Sequence, residues 1–190
     1  MLEFGTEMTV SSHLDPATFR DALGRFATGV TVITVESQGT AHGMTANGFM
    51  SVSLDPFLVL VSVAKAARMH RLLESAEGYG VSVLGHDQRD LSLHLSGRPL
   101  EGIEVPLDFV DDVPLLENAL VRIATRIVDS HSAGDHTLFI ARVLQLDVRD
   151  GQPLIFHSGA YTKLHVPRIE VRREGDWADF SIEPHDPLAG

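Results

Sequence analysis

His42-Gly43-Met44-Thr45-Ala46-Asn47-Gly48-Phe49-Met50-Ser51-Val52-Ser53-Leu54-Asp55-Pro56 runs directly into Phe57-Leu58-Val59-Leu60-Val61-Ser62-Val63. Small hydroxyl and amide side chains lie between glycines, then Ser-Val-Ser alternates into a turn at Asp55-Pro56, and an apolar run begins. The pattern is that of a loop entering a strand. Few bulky side chains stand between such a loop and a ligand, so a flat, polar-edged molecule can lie close to the backbone. Thr45, Asn47, Ser51 and Ser53 offer donors and acceptors without charge. A plain hairpin followed by a buried strand fits the same composition.

Working outward, Asp15-Pro16 reads as a helix start, with Asp15 as N-cap and Pro16 in the first turn. Phe19, Leu23 and Phe26 recur at helical spacing and predict an apolar stripe laid on the core, with Gly29 as the stop. Residues 30–35 are strand-like, and Ser37-Gln38-Gly39-Thr40 is a turn. Residues 65–74 and 87–95 are expected to be helical, the second with Leu91 and Leu95 on one face; 79–84 is a strand between them. Pro, Gly and acidic residues make 97–113 irregular, with a short extended piece near Phe109. Two long strands follow, 121–127 and a second in which Leu138, Ile140, Leu144, Leu146 and Val148 face one way. Asp150-Gly151 is read as a hairpin turn before a closing strand. Many strands with only short helices favour a small barrel over a parallel sheet. The expected organisation is an arm-like N-terminus over 1–14, one domain over 15–165 and an extension over 166–190, which carries charge, proline and the only Trp.

Composition narrows the chemistry. At 190 residues and 44% hydrophobic content, the chain is long enough for one domain with a full core. The apolar run at 57–63 is too short to span a bilayer, and no basic segment followed by an apolar one opens the chain, so a cytoplasmic location is expected. With no cysteine, there are no disulfides, thiolate metal sites, iron–sulfur clusters or thiol catalysis. A formal charge of −11 argues against nucleic acid and anionic membranes as partners. The ten histidines include no His-Glu-x-x-His and no close-spaced zinc pattern, so no metal is expected. Gly-x-Ser-x-Gly and Gly-x-Gly-x-x-Gly are both missing, which removes the hydrolase elbow and the Rossmann phosphate loop.

Three further stretches complete the pattern: Phe19 to Thr34, Gly134-Asp135-His136-Thr137 with the strand after it, and Pro153-Leu154-Ile155-Phe156-His157-Ser158-Gly159-Ala160-Tyr161. Together with the opening motif, they resemble the flavin reductase family in family order from about Phe19 to Leu164. The resemblance implies a mainly β protein with short helices, the FMN-binding split β-barrel. It also implies an NAD(P)H:flavin oxidoreductase that takes FMN (or FAD) with NADH or NADPH, works as a homodimer and supplies reduced flavin to a separate monooxygenase. By the same resemblance, Thr45, Ala46, Asn47, Ser51, Val52 and Ser53 border the flavin. Its phosphate falls to Ser62, Lys65, Ala67 and Arg68, within a cationic cluster that also holds Arg71. Tyr161 stacks on or bonds the flavin, and His136 stands beside it where nicotinamide would stack.

The chain departs from the family at Ala67 and Met69, where relatives commonly carry Ser and Thr hydroxyls, and at Ser82, where Asn is frequent. These departures keep two other readings open: a flavin carrier without efficient NAD(P)H turnover, and a flavin-free split-barrel interaction protein.

Overall fold

The structure is a computed structural model that describes residues 15–164; the expected arm at 1–14 and extension at 166–190 lie outside them. In chain order the elements begin with α1 (Pro16–Gly24), β1 (Thr28–Gly29), β2 (Thr31–Ser37), β3 (Thr40–Ala46), β4 (Phe49–Leu54) and β5 (Phe57–Ala64). Then come α2 (Arg68–Ser75), β6 (Gly80–Val83), α3 (Arg89–Leu95), β7 (Leu107–Val110) and β8 (Val113–Leu116). Two long strands, β9 (Val121–Ala133) and β10 (His136–Val148), precede the short β11 (Ile155–His157) and β12 (Ala160–Thr162).

The main sheet has seven strands in the order β3-β2-β6-β9-β10-β5-β4. Its two edge strands, β3 and β4, are joined only by Asn47 and Gly48. Were the sheet flat, strands about 4.8 Å apart would put its edges about 29 Å from each other. The link from Ala46 to Phe49 reaches at most about 11 Å. The sheet must therefore curl until its edges meet, which makes it a barrel left open between β3 and β4. The fold is the split barrel.

Two large apolar clusters fill the molecule, and Val113, Leu115 and Ala124 form a small third one. Inside the curl, Ile33, Val35, Val61, Val63, Val81, Phe139 and Ala141 pack together with Met69 and Leu73 of α2. Tyr79 is fully buried there and spends its hydroxyl on the Phe139 carbonyl at 3.1 Å. Desolvation raises its pKa, so it stays a neutral donor. Outside the curl, Val30, Val32, Leu84, Leu116 and Leu154 form a second cluster under Leu91 and Leu95 of α3 and Phe156 and Tyr161 of the small sheet β1-β11-β12. β2 is buried on both faces because it separates the two clusters.

Several expectations change. The opening stretch is two strands joined at Asn47-Gly48, with the turn at Asp55-Pro56 closing a β4–β5 hairpin; it is not a loop. The first helix ends at Gly24, and Gly29 belongs to β1. Its apolar stripe does not lie on the core of the chain: Phe19, Leu23 and Phe26 are 54%, 55% and 75% exposed. Spacing fixed the stripe but carries no information about what covers it. The even positions Leu144, Leu146 and Val148 of β10 likewise face outward, while Phe139 and Ala141 face the core. Asp150-Gly151 does not close a hairpin, because β11 pairs with β1 and β12 and leaves the main sheet. Within the irregular 97–113 region lies β7, and the fully buried β8 follows it. Ser82 Oγ accepts from Leu116 N at 3.0 Å, so the serine serves one backbone group of β8.

Tyr79→Phe removes one buried hydrogen bond and no packing volume. It is expected to lower stability by about 1 kcal/mol, read as a lower urea midpoint with an unchanged slope.

Candidate functional site

The two residues that let the barrel edges meet also begin the candidate site. Gly48 lies so close to β5 that a Cβ there would come within 3.2 Å of Ser62 Cβ and of the Ser62 carbonyl oxygen. Ser62 N donates to the Gly48 carbonyl at 2.7 Å. The glycine thus brings two backbones together, and Asn47 is held at the mouth of the split. Ala46 is buried beside it, its carbonyl accepting from Thr31 Oγ1 at 2.6 Å.

From Thr45 the wall continues through hydrogen bonds. Thr45 Oγ1 donates to the Ser92 carbonyl at 2.7 Å, and the Ser92 and Tyr161 hydroxyls share a bond of 2.8 Å. Ser92 is fully buried, so three elements far apart in sequence (β3, α3 and β12) are tied at one point. Tyr161 also packs edge-on against Phe156, with ring centroids 5.4 Å apart. Thr45, Phe156 and Tyr161 line an open cleft of about 780 Å³ that Asn47, Ser96, Arg89 and Arg98 complete, with Ser92 buried behind the wall. A second cleft of about 400 Å³ shares Thr45 and Ser96 and carries Arg68 on its wall. In a chain of net charge −11, three arginines at two adjoining clefts are a local reversal of sign that suits an anion.

The expected site residues divide into groups. Thr45, Asn47 and Tyr161 share the larger cleft, and Thr45 and Arg68 the smaller one. Ala67 is the N-cap position of α2 and offers no side-chain cap, so first-turn amides there are free of a side-chain partner. Lys65 follows β5 and turns elsewhere: its Nζ donates to Ser132 Oγ and the Gly134 carbonyl, each at 2.7 Å. Arg71 lies on α2, exposed. Ser51, Val52 and Ser53 lie along the edge strand β4, where Val52 is 44% exposed, and they line neither of these clefts. Ser53 Oγ accepts from Asp55 N at 3.2 Å.

His136 opens β10 and pairs in register with Ala64 of β5, two residues along from Ser62. That register puts it across β5 from the Asn47-Gly48 link and outside both clefts. Its Nδ1 bonds to Asp135 Oδ1 at 2.7 Å, which leaves Nε2 for another partner. The hydrogen bond from His136, and then its charge, hold the Asp135 carboxyl below the ordinary carboxylate range.

The fold also brings Arg89, Ser92, Ser96, Arg98 and Phe156 to the site, outside the expected set. The signal for the first three was present in the 87–95 helix: with Leu91 and Leu95 on the core side, Arg89, Ser92 and Ser96 at i, i+3 and i+7 mark another face. In His136→Ala, the Asp135 carboxyl loses its partner and should titrate higher, back in the ordinary range. Carboxyl carbon shifts followed by NMR against pH report this directly.

Comparison with known proteins agrees with the geometry. Residues 23–165 match the family model described as a flavin reductase like domain. An NADH-dependent flavin reductase of a Rhodococcus species is 48% identical over 157 residues, which is 81% of this chain and 89% of that protein. The flavin reductase PheA2 in its native state superposes with a TM-score of 0.77 at 44% identity, covering 80% of this chain and 99% of that one. The styrene monooxygenase flavin reductase SMOB of Pseudomonas putida S12 does so with a TM-score of 0.74 at 37% identity, covering 79% and 99%. On this evidence the chain belongs to the flavin reductase like family.

Proposed function

We propose that the protein transfers hydride from NADH (or NADPH) to FMN or FAD and hands the reduced flavin to a separate monooxygenase. The observation that carries the reading is the cleft itself: neutral donors on one wall, an aromatic pair on the other, and arginines at its margin. This donor set fits a flavin, whose ring edge asks for uncharged hydrogen-bond partners and whose phosphate asks for cations. Thr45, Asn47 and Tyr161 would hold the ring, and Arg68 with the uncapped start of α2 would hold the phosphate. When bound, the flavin supplies the hydride acceptor, and the chemistry of transfer belongs to the two cofactors.

The protein's share is alignment and exclusion of water. No cysteine, and no metal-binding group of His and acidic side chains among the described residues, competes with that role. The Thr45–Ser92–Tyr161 bonds fix both walls at a set spacing. Asp135 orients His136 so that its free Nε2 can bond a nicotinamide carboxamide arriving beside the barrel split. A cytoplasmic setting belongs to the same proposal; among the described residues no helix is long and apolar enough to cross a membrane.

A homodimer belongs to the same reading. Met50, Leu60 and Ile140 form a row across β4, β5 and β10, and Leu54 and Phe57 beside it are 81% and 62% exposed. Apolar side chains left exposed along neighbouring strands call for a cover, and a second copy supplies one. Sedimentation should give twice the chain mass, and Leu54→Asp with Phe57→Asp should give the single chain.

The activity is tested by anaerobic mixing with FMN or FAD and then NADH or NADPH, following the flavin's visible absorbance. Rapid bleaching above a no-protein control is expected, whereas bound flavin that stays oxidised would make the protein a carrier. His136→Ala should raise KM for NADH about tenfold and leave flavin affinity within about twofold.

A further inference from the structure

His70 is the one buried histidine among the described residues, 6% exposed, and the chemistry proposed above does not use it. It stands in the first turn of α2 with its ring turned toward the sheet. Nε2 lies 2.8 Å from Thr137 Oγ1 on β10, and the ring meets Phe139 edge-on with centroids 5.6 Å apart. On the other side of the ring, Nδ1 is 3.5 Å from Glu74, one turn further along α2. Among the described residues, the bond to Thr137 is the one side-chain hydrogen bond that joins α2 to the sheet. Met69 and Leu73 also hold α2 to the core, but apolar contact is non-directional and lets a short helix slide or turn. A hydrogen bond fixes both distance and angle. In a dry layer it also carries more weight, because either partner left alone would lose its solvation without replacement. Thr137 is a firm anchor, paired in register with Val63 of β5 and Ser132 of β9.

What this bond fixes is the start of α2. Arg68 lies two residues before His70, and the carbonyl of the N-cap residue Ala67 accepts from His70 N at 3.1 Å. Resting on the reading that this helix start receives the flavin phosphate, we propose that His70 is a positioning residue. By bonding Thr137, it holds Arg68 and the first-turn amides of α2 at the place along the sheet where the phosphate meets them. His70 lines neither cleft, so it acts through α2 and not on the ligand. Its influence is confined to the phosphate end. The ring end is held by the Thr45–Ser92–Tyr161 bonds, which involve no residue of α2.

The probes are FMN and riboflavin, which differ by the phosphate alone, titrated against the full-length protein and followed by flavin fluorescence. His70→Leu and Thr137→Val each remove the bond from one side. Each should weaken FMN about tenfold and leave riboflavin within about twofold. The double variant should be no weaker than either single one, since both remove the same bond. His70→Gln, whose side-chain amide can stand where Nε2 does, should recover most of the FMN affinity. Thr137→Val keeps the shape of the side chain and decides alone should His70→Leu fail to fold. Equal weakening of FMN and riboflavin would show a merely structural role and overturn the proposal, as would variants that keep the full preference for FMN. In that last case the phosphate reading stands and only the role of His70 falls. If the unaltered protein binds FMN no more tightly than riboflavin, the phosphate reading itself fails and takes the proposal with it.

Discussion

Everything in this molecule depends on a two-residue link between strands at opposite edges of a seven-stranded sheet. Asn47 and Gly48 cannot bridge a flat sheet, so the sheet curls, and Gly48 lets the meeting edges close to van der Waals distance of Ser62. The curl creates the inner core, because it turns one face of every strand toward a common axis. It also leaves the split, and the split is where the site opens. A single chain constraint therefore gives both the stability of the barrel and the position of the chemistry.

The site is built differently from the core. The wall of the larger cleft is tied together by the Ser92 backbone and hydroxyl, each meeting a partner from another part of the chain. Burial makes these bonds count, since a hydroxyl left unpaired in a dry layer costs more than a bond made in water gains. Around them the electrostatics run against the whole. The chain is strongly acidic, yet Arg68, Arg89 and Arg98 gather on two adjoining clefts. An anionic cofactor repelled at long range is thus received locally.

The strands were legible where one face is buried and the other is not, and so were the N-cap at Asp15 and the turn at 37–40. Less legible were features that depend on partners distant in sequence. β8 has four buried residues and no alternation, so nothing in its period marks it as a strand. Phe19, Leu23 and Phe26 have helical spacing, but spacing is the same whether the face meets its own core or a second molecule. The 42–56 stretch carried both family and ligand chemistry, yet it reads as a loop because its pairing partners are 31–37 on one side and 57–61 on the other. Thr45, Asn47 and Tyr161 meet at one cleft in the fold, whereas Ser51, Val52 and Ser53 follow the edge strand away from it. Arg89 and Arg98 are not legible in the sequence because a surface arginine has no pattern of its own until the fold places a cavity beside it.

The presence of two large apolar clusters, sharing only β2, bears on how the protein can change over evolutionary time. The inner cluster holds the barrel closed, while the outer one underlies α3, Phe156 and Tyr161, and hence the cleft walls. Substitutions that reshape the larger cleft fall largely in the outer layer and leave the packing inside the curl untouched. The barrel and the walls of that cleft are thereby carried by separate sets of side chains. A lineage with this architecture is free to drift between cofactors or oxygenase partners without first passing through an unstable barrel.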